Sequence, residues 1–325
     1  MVKKASETLC CIILFTYFGT LTRMVLSYLS QTSDSHLMPV FISSFFLANI
    51  VGSFIMGLFV PLDKLFSPSY TSWHVGVTTG FCGSCTTFST WQRITAEKLA
   101  HGQIVDGIMT LLFTFCTSYG AFIFGKHIGD AIFHRPVRCF RGQRFGEVSV
   151  TITNTDMATT HVEQGISSSR YVYLWLVTVF VTVAIWIAVL LDTSSEDRRK
   201  CWTAAALGPI GSLARYFLLL NNRKRPTFPL FTFIVNVCAS VVSAVILAVF
   251  VRLSSENEHW STYNLWLNFG VGAGILGCLS TVSTFVNELR KLADTKIVHA
   301  YRYGLTSVIV SQIFCIFIIC TTFFK

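Results

Sequence analysis

Charged residues are scarce in this sequence. Only 13% of its 325 residues are Asp, Glu, Lys or Arg, about half of the usual fraction in soluble domains, whereas 52% are hydrophobic. This balance excludes a soluble globular domain, because so many apolar side chains must be covered by lipid as well as by one another. We therefore expect an all-α polytopic membrane protein.

Groupings of residues that carry catalysis are missing too. The eight histidines are scattered, no nucleophile lies beside a base, and the apolar segments hold no paired carboxylates. Cys82 and Cys85 have the C-x-x-C spacing of redox and metal motifs, but they lie in an apolar segment whose counterpart later in the chain has only Cys278. We interpret most of the eleven cysteines as small packed hydrophobes, and the sequence predicts no enzyme.

A signal-peptide cleavage site is also lacking. The apolar stretch 9–29 follows the basic residues Lys3 and Lys4 without a small-residue cleavage signal, so we interpret it as a first spanning helix that stays in the chain. The net charge of +9 comes mainly from short loops between apolar segments, where basic residues report membrane orientation. No nucleic acid partner is therefore expected.

Two sets of four apolar segments make up most of the chain, and each segment is long enough for a bilayer that takes about 20 helical residues to cross. The segments lie near 7–30, 39–61, 73–100 and 104–128, and again near 201–221, 227–251, 262–292 and 296–323. We divide the chain into a first four-helix repeat (1–128), a basic cytoplasmic loop (129–169), a linker transmembrane helix (170–191) and a second four-helix repeat (192–325).

A stretch rich in glycine and hydroxyl groups interrupts the third segment of each set. Residues 80–91 read GFCGSCTTFSTW and residues 274–285 read GILGCLSTVSTF, with five identical positions. Glycine lowers the cost of non-helical backbone, and hydroxyls can replace the hydrogen bonds that a break releases. We therefore predict that the third helix of each repeat is broken, which is a pointer to an ion or substrate site between repeats.

The linker helix sets how the two repeats face each other. One extra crossing between two sets of four makes the second set enter the membrane from the opposite side, so we predict inverted repeats. Lys and Arg residues concentrate on the side of the N-terminus and of the loop, which contains Arg135, Arg138, Arg141 and Arg144. The positive-inside rule then places the N-terminus in the cytoplasm and the C-terminus outside, although the basic run 198–200 fits this orientation poorly.

Polar residues recur at matching places in the two repeats. The element GTLTR, which ends at Arg23, matches GSLAR, which ends at Arg215, and Asn49 matches Asn236. The arginines are either snorkelling residues at the membrane interface or part of an anion-attracting vestibule. The asparagines either join helices or line a pore, and their duplication favours the pore.

Hydroxyl groups follow one face of the last segment of each repeat. The fuller stripe is Tyr303, Ser307 and Ser311, and the weaker one is Thr110, Thr114 and Ser118. Such a stripe either packs helices or solvates an anion, because a hydroxyl can donate to an anion while accepting from backbone donors.

Together these features resemble the fluoride channels of bacteria and, more closely, the fused two-domain fluoride exporters of eukaryotes. The resemblance covers both four-helix repeats and the linker. It rests on residues 83–90 (GSCTTFST), on the paired elements that end at Arg23 and Arg215, and on Asn49 and Asn236. It implies fluoride as the transported ion, membrane lipid as the surroundings, and a chain that works as a monomer because it contains both halves.

The resemblance also implies a site. In that family two inverted domains form antiparallel pores, backbone oxygens of the helix breaks hold a buried Na⁺, and phenylalanine ring edges flank the fluoride path. Here it implies a structural Na⁺ at the carbonyls of Gly83, Thr86, Gly277 and Ser280, with Arg23 and Arg215 at the vestibule. The implied pore residues are Phe88, Phe285, Asn49, Asn236, Ser89, Thr90, Ser283, Thr284, Tyr303, Ser307, Ser311 and Glu288.

The two halves differ in the family pattern Phe-Ser-Thr-Phe. The first half reads Phe-Ser-Thr-Trp and the second reads Val-Ser-Thr-Phe. Because that family builds each pore from both domains, one pore keeps Phe88 and Phe285, whereas its twin has Val282 and Trp91. Glu288 lies at the place of the family's acidic residue, and its counterpart in the first half is an isoleucine. We therefore expect one active and one vestigial pore.

The function implied is a passive fluoride-selective channel in the plasma membrane that exports cytoplasmic fluoride. A proton-coupled fluoride exchanger or another secondary anion transporter is the alternative, because inverted repeats and broken helices also occur in transporters. Such a transporter needs titratable groups in its spans, and only Glu288 and Glu97 are candidates. A membrane assembly protein without transport is a third interpretation.

Overall fold

The computed structural model describes residues 2–32, 44–64, 71–133, 155–253 and 260–323, and every regular element in these ranges is helical. In chain order the helices are α1 (Val2–Thr32), α2 (Phe46–Phe59), α3 (71–85), α4 (Phe88–Ala100), α5 (Ile104–Phe133), α6 (Thr155–Leu191), α7 (Glu196–Leu219), α8 (Leu230–Leu253), α9 (260–279), α10 (Val282–Thr295) and α11 (Ile297–Phe323). Short 3₁₀ turns, Val60–Lys64 and Leu220–Lys224, follow α2 and α7.

Seven helical stretches among the described residues are long and apolar enough to cross a membrane. They are Lys4–Ser30, Ile104–Phe133, Tyr171–Leu191, Glu196–Asn222, Leu230–Arg252, Thr262–Thr295 and Ile297–Thr322, and Phe46–Leu62 is a shorter apolar helix. Large apolar side chains cover their outer faces, such as Phe180 on α6 at 74% exposure and Phe317 on α11 at 66%. The all-α polytopic fold is therefore confirmed, whereas the count of nine crossings and the inversion of the repeats stay predictions.

Both predicted helix breaks are present, and they have the same backbone geometry. Thr86 (φ −97°, ψ 149°) and Thr87 (φ −138°, ψ 120°) are extended between α3 and α4. Ser280 (φ −88°, ψ 150°) and Thr281 (φ −152°, ψ 132°) are extended between α9 and α10. A π-helical stretch precedes each break, Gly76–Cys82 in α3 and Leu265–Leu276 in α9. Wide π turns of this kind are typical of functional sites in helices.

The glycines beside the breaks do not have the role predicted for them. Gly83 (φ −68°, ψ −28°) and Gly277 (φ −64°, ψ −34°) are helical, so the non-helical backbone belongs to serine and threonine instead. Glycine is needed here for close approach. A Cβ on Gly83 would clash with the guanidinium of Arg215, and a Cβ on Gly277 would lie 2.6 Å from Nη1 of Arg23.

The linker helix α6 is longer than predicted. It begins at Thr155, so 155–169 is helical and the prediction of a loop there is wrong. No proline lies between 155 and 191 to stop the helix from extending out of its apolar span. The rest of the predicted loop, with Arg135, Arg138, Arg141 and Arg144, lies outside the described residues.

The linker helix packs against the first helix of each repeat. Ile185 and Val189 on α6 share an apolar cluster with Tyr17 on α1 and Ala205 on α7. The hydroxyl of Tyr17 also donates to Oγ1 of Thr182 at 3.0 Å. The linker therefore lies beside α1 and α7.

Helices α2 and α5 are held close together by glycines. A Cβ on Gly57 would clash with the carbonyl oxygen of Phe122, and a Cβ on Gly125 would clash with that of Phe54. Small residues that let helix backbones meet are a common basis of helix association in lipid, where apolar side chains gain little by leaving the bilayer.

We predict that Gly57→Ala and Gly125→Ala each destabilise the protein by about 1–3 kcal/mol, because the added methyl group has no space. Gly120→Ala on the same helix α5 is the matched control, since no atom lies within 4 Å of its Cβ position. The thermal unfolding midpoint of purified protein in detergent is the measurement. Equal midpoints for the Gly57 and Gly120 variants would contradict the close packing of α2 on α5.

Candidate functional site at the two helix breaks

Each break is paired with an asparagine from the second helix of its own repeat. Asn49 accepts from the backbone N–H of Thr87 at 2.9 Å and donates to its carbonyl at 3.4 Å. Asn236 makes the same two contacts with Thr281, at 3.0 and 3.4 Å. The amides replace helix hydrogen bonds that the breaks release, so these contacts join helices, and a role in lining a pore stays a prediction.

The hydroxyl of each break caps a helix of the other repeat. Oγ1 of Thr86 donates to the carbonyl of Cys82 at 3.0 Å and accepts from the backbone N–H of Ser283 at 3.1 Å. In the reciprocal arrangement, Oγ of Ser280 accepts from the backbone N–H of Ser89 at 3.1 Å. The N-termini of α4 and α10 therefore meet at the centre of the molecule, and each depends on the opposite repeat for one cap.

Local caps complete the two helix starts. Thr87 accepts from the backbone N–H of Thr90 at 3.4 Å, and Thr281 accepts from that of Thr284 at 3.3 Å. Among the predicted pore residues, the structure thus brings the Ser and Thr of both motifs together in one cluster, in which Thr284 alone is partly exposed.

The two arginines lie inside the protein. Arg23 and Arg215 are both 0% exposed, so the interpretation as snorkelling residues at the membrane interface is wrong, and a role at a vestibule stays a prediction. Arg215 donates to the carbonyls of Gly83 at 2.8 Å and Thr79 at 2.5 Å, and Arg23 donates to that of Ala273. The physical reason is that the interrupted helices leave carbonyl groups inside the membrane core, and a guanidinium can satisfy several of them at once.

This arrangement bears on the predicted Na⁺. One of its four donors, the carbonyl of Gly83, is bound by Arg215, and the guanidinium of Arg23 lies against Gly277. A guanidinium cation therefore binds one of the four carbonyls predicted to coordinate Na⁺, and a further cation at that carbonyl would be repelled by it. The contacts of these residues do not fit a Na⁺ held by all four carbonyls.

Phe88 and Phe285 come together beside the two breaks. Both rings are fully buried, and their centroids are 5.2 Å apart with 66° between the ring planes. The positive edge of one ring therefore faces its neighbour, as expected for an edge-to-face pair. Trp91 packs on Phe88 at 5.4 Å, and Tyr303 packs on Phe285 at 5.3 Å. Val282, the counterpart of Phe88, lies in the same cluster.

Glu288 lies one helical turn beyond Phe285 and is held by three donors. Its carboxylate accepts from the hydroxyls of Thr232 at 2.7 Å and Tyr303 at 2.8 Å, and from the amide of Asn222 at 3.3 Å. Asn222 is in turn fixed by the backbone N–H of Phe231 at 2.9 Å. These hydrogen bonds fix the acidic group at one end of the aromatic pair.

Both hydroxyl stripes are buried inside the helix bundle. Ser307 donates to the carbonyl of Tyr303 at 2.7 Å, and Thr110 accepts from Lys98 at 3.0 Å. The hydroxyls of Thr114, Ser118 and Ser311 have no hydrogen-bond partner among the described residues. The stripes alone therefore do not show which one an ion would follow.

Two cavities of about 400 Å³ differ in chemical character. The first lies among α5, α10 and α11 and is lined by apolar groups that include Trp91, Tyr119 and Leu289. The second lies between the first turns of α4 and the second half of α8, and it includes Thr90 and Arg93. Its other polar lining residues are Ser27, Ser44, Asp197, Lys200, Ser243, Asn264 and Asn268.

The helical repeats match one family over most of the chain. Residues 10–126 and 202–319 each match the profile described as CrcB-like protein, Camphor Resistance (CrcB). The chain belongs to this family. The double match also corresponds to the two four-helix repeats, and the whole linker helix α6 lies between the two matched ranges.

Characterised relatives in this family carry fluoride in their names. The chain is 29% identical to fluoride export protein 1 of Candida albicans, over 90% of this chain and 74% of that protein. It is 25% identical to fluoride export protein 1 of Saccharomyces cerevisiae, over 87% and 85%. The fluoride-specific ion channel FluC 1 of Staphylococcus aureus is 34% identical, over 31% of this chain and 75% of its own length. No solved structure matches the chain.

Sequence reasoning missed several residues of this CrcB-family site. Some of its polar residues are not repeated by the same residue type at the equivalent position of the other repeat. These are Asn222 and Thr232, which hold Glu288, and the buried amides Gln92 and Gln312. Because duplication was the criterion that separated pore residues from packing residues, these single polar groups were passed over. An uncharged amide inside an apolar helix was the signal that could have found Gln92 and Gln312.

We predict that Arg215→Lys destabilises the protein by about 3 kcal/mol or more, since a single ammonium cannot bind the carbonyls that the guanidinium joins. Arg252→Lys is the control, because Arg252 lies at the exposed end of α8 and contacts one carbonyl, that of Thr321 at 3.3 Å. Thermal unfolding in detergent compares the two variants with the wild type. An Arg215 variant as stable as the control would show that the guanidinium does not hold the breaks.

Proposed function

We propose that the protein is a passive fluoride-selective channel that exports cytoplasmic fluoride and so protects the cell from its toxicity. The observation that carries the proposal is the pair of broken helices, where buried hydroxyls and the edge-to-face rings of Phe88 and Phe285 lie together. Membership in a family whose characterised relatives are named as fluoride exporters and fluoride channels supports the choice of ion.

The chemistry of these groups suits a small, strongly hydrated anion. Fluoride gives up water only where short hydrogen bonds and positive partial charges replace it. A hydroxyl such as that of Ser311, which has no partner among the described residues, can donate without adding a fixed positive charge, and aromatic ring edges add positive partial charge. A pore with these groups binds the ion and also lets it leave.

The direction of transport follows from the membrane potential. Hydrogen fluoride enters a cell in acid surroundings, dissociates inside, and leaves as the anion when the interior is negative. Each exported charge gains about 2.3 kcal/mol per 100 mV. We propose the plasma membrane as the location, with the N-terminus in the cytoplasm, the C-terminus outside, and the monomer as the working unit.

A coupled exchanger is the second candidate, and the position of Glu288 favours it. A carboxylate within a spanning helix, hydrogen-bonded to Tyr303, Thr232 and Asn222, is the kind of titratable group that proton-coupled transporters use. A channel needs no proton movement, so the two candidates differ in a directly measurable property.

We predict that purified protein in liposomes passes fluoride electrogenically when the pH is equal on both sides. Fluoride efflux should follow the potential set by a potassium gradient and valinomycin, and chloride should not replace fluoride. Efflux that occurs only with a proton gradient would identify an exchanger. If neither condition gives fluoride efflux, the transport function is wrong.

We further propose a single working pore that contains Phe88 and Phe285. Replacing either by Ile removes the ring edge and keeps most of the volume, so we predict a large loss of fluoride flux, about tenfold or more if one favourable contact of about 1.4 kcal/mol with the ion is lost. Trp91→Phe and Val282→Ile are the controls and should change the flux much less. The comparison requires variants of equal thermal stability. Equal losses for Phe285→Ile and Val282→Ile would contradict the single pore.

A structural Na⁺ remains a prediction of the family resemblance, although Arg215 contacts one of the proposed donors. If Na⁺ binds at the breaks, exchange of Na⁺ for the large organic cation N-methyl-D-glucamine lowers the unfolding midpoint. If Arg23 and Arg215 supply the positive charge instead, the midpoint is the same in both salts. The contacts of Arg215 with Gly83 lead us to expect the second result.

A further inference from the structure

A pair of buried glutamines connects α4 with α11. Gln92 is 0% exposed and Gln312 is 8% exposed. Nε2 of Gln312 donates to the backbone carbonyl of Gln92 at 3.0 Å and to its side-chain Oε1 at 2.7 Å. Neither contact involves a residue of the predicted pore.

These two contacts fix the orientation of both amides. A backbone carbonyl can only accept, so the Gln312 atom that contacts it must be the NH₂ group. The Gln92 atom that receives the second N–H must then be its oxygen. Nε2 of Gln92 therefore points away from Gln312, and it has no hydrogen-bond partner among the described residues. An N–H donor buried in this way is costly unless something accepts from it.

Other polar groups without partners lie in the same part of the bundle. Thr95 lies one helical turn after Gln92 on α4, and Ser311 lies next to Gln312 on α11. Both have buried hydroxyls for which the described part of the chain offers no partner. One turn further out, Ala96, Ala244 and Cys315 bring α4, α8 and α11 into one cluster. The free donors thus lie where these three helices meet.

This region adjoins the aromatic centre, whereas the polar cavity lies along another face of α4. On α4, Phe88 lies at the inner end next to Phe285, Gln92 follows one turn later, and Thr90 and Arg93 line the polar cavity. Arg93 is paired with Glu97 at 3.2 Å, so it adds no net charge to that lining. The N–H donor of Gln92, which has no partner in the described part of the chain, therefore lies beside the aromatic pair rather than in the polar cavity.

The equivalent region of the other repeat is apolar. Helix α10 packs against α2 and α5 as α4 packs against α8 and α11. At the positions equivalent to Gln92 and Thr95 on α4, helix α10 has Val286 and Leu289. At the position equivalent to Gln312 on α11, helix α5 has Tyr119. Leu289 and Tyr119 line the apolar cavity. Within the described ranges, the region between α4 and α11 has unpaired polar donors on both helices, whereas the region between α10 and α5 has them on α5 alone.

We propose that Nε2 of Gln92 donates to the permeating anion, and that the working path runs between α4, α8 and α11. Gln312 is a positioning residue that turns the amide of Gln92 toward the ion. The inference rests on the proposed fluoride function and identifies the helices that form its path. It assigns the Tyr303, Ser307 and Ser311 stripe to the working pore and the α5 stripe to the vestigial one.

The test is fluoride efflux from liposomes that contain the purified full chain. Gln92→Glu, measured at alkaline pH, keeps an oxygen for Gln312 to donate to and replaces the free N–H donor with a negative charge. Gln92→Val copies the residue of the other repeat. We expect both to lose flux by roughly tenfold to a hundredfold, the rate equivalent of a lost hydrogen bond to a charged group. Gln312→Leu should reduce flux less, because the donor remains but is no longer oriented.

Thr114→Val and Ser118→Ala on α5 are the matched controls and should keep the wild-type flux. If Gln92→Glu conducts as well as the wild type, the glutamine pair only joins helices and the inference is wrong. If the α5 controls lose as much flux as the Gln92 variants, the path assignment is wrong. A wild-type chain without fluoride efflux would overturn the proposed function itself, which separates that failure from the other two.

A second measurement does not depend on flux. Fluoride that binds at Gln92 should raise the unfolding midpoint of the wild type in detergent, and Gln92→Glu should abolish that increase while Ser118→Ala keeps it. The same fluoride-dependent increase in the wild type and in Gln92→Glu would contradict binding at this amide. This comparison also detects a variant that merely fails to fold.

Discussion

Interrupting a spanning helix inside a bilayer is the constraint on which the rest of this structure depends. Each backbone group that loses its helical partner in lipid costs several kcal/mol unless another group replaces it. The protein interrupts two helices, at Thr86 and Thr87 and at Ser280 and Thr281. Asparagines, hydroxyls and guanidinium groups then satisfy the released backbone, and together they form the polar centre of the molecule.

Each repeat supplies groups that replace the backbone hydrogen bonds lost at the break of the other repeat. Thr86 caps α10 and Ser280 caps α4, while Arg215 reaches Gly83 and Arg23 reaches Ala273. Neither repeat can therefore complete its own break. The two halves must therefore fold against each other, and this explains why duplicated polar residues are a good signal for this centre.

Away from the centre the two halves are free to differ. The residues that are the same in both repeats are those that cap the breaks or pair with them. Further along the helices the repeats differ, with Gln92 and Thr95 on α4 but Val286 and Leu289 on α10. The backbone constraint acts on both breaks, but passage of an ion needs polar donors along only one path. Two similar helix breaks, followed by helices that differ in this way, are therefore what we expect of a duplicated protein that conducts through one path.

The sequence predicted the helical membrane fold and the position of both breaks, because apolar length and paired Gly and hydroxyl motifs are local features. It did not predict the contacts of the arginines. Burying Arg215 is favourable only because the carbonyls of Gly83 and Thr79, more than 100 residues away in sequence, accept hydrogen bonds from it. The tertiary fold brings these groups together, so the local sequence cannot show the contact.

The site was predicted where a residue type recurs and missed where it does not. Phe88 and Phe285 were expected to form a pair from their motif, and the structure places them in contact. Gln92 and Gln312 were not considered, because their pairing depends on the packing of α4 against α11. Nor could helix length show that α6 begins at Thr155, since a span predicted from apolar length ends where polar residues begin.

The central claim is that one chain contains one conducting path. Single-channel recording of the purified protein in a planar bilayer, with sodium fluoride on both sides, tests it most directly. The account predicts one open level that appears and disappears in a single step. Two equal levels that open and close independently within one channel would show two working pores and would contradict the account.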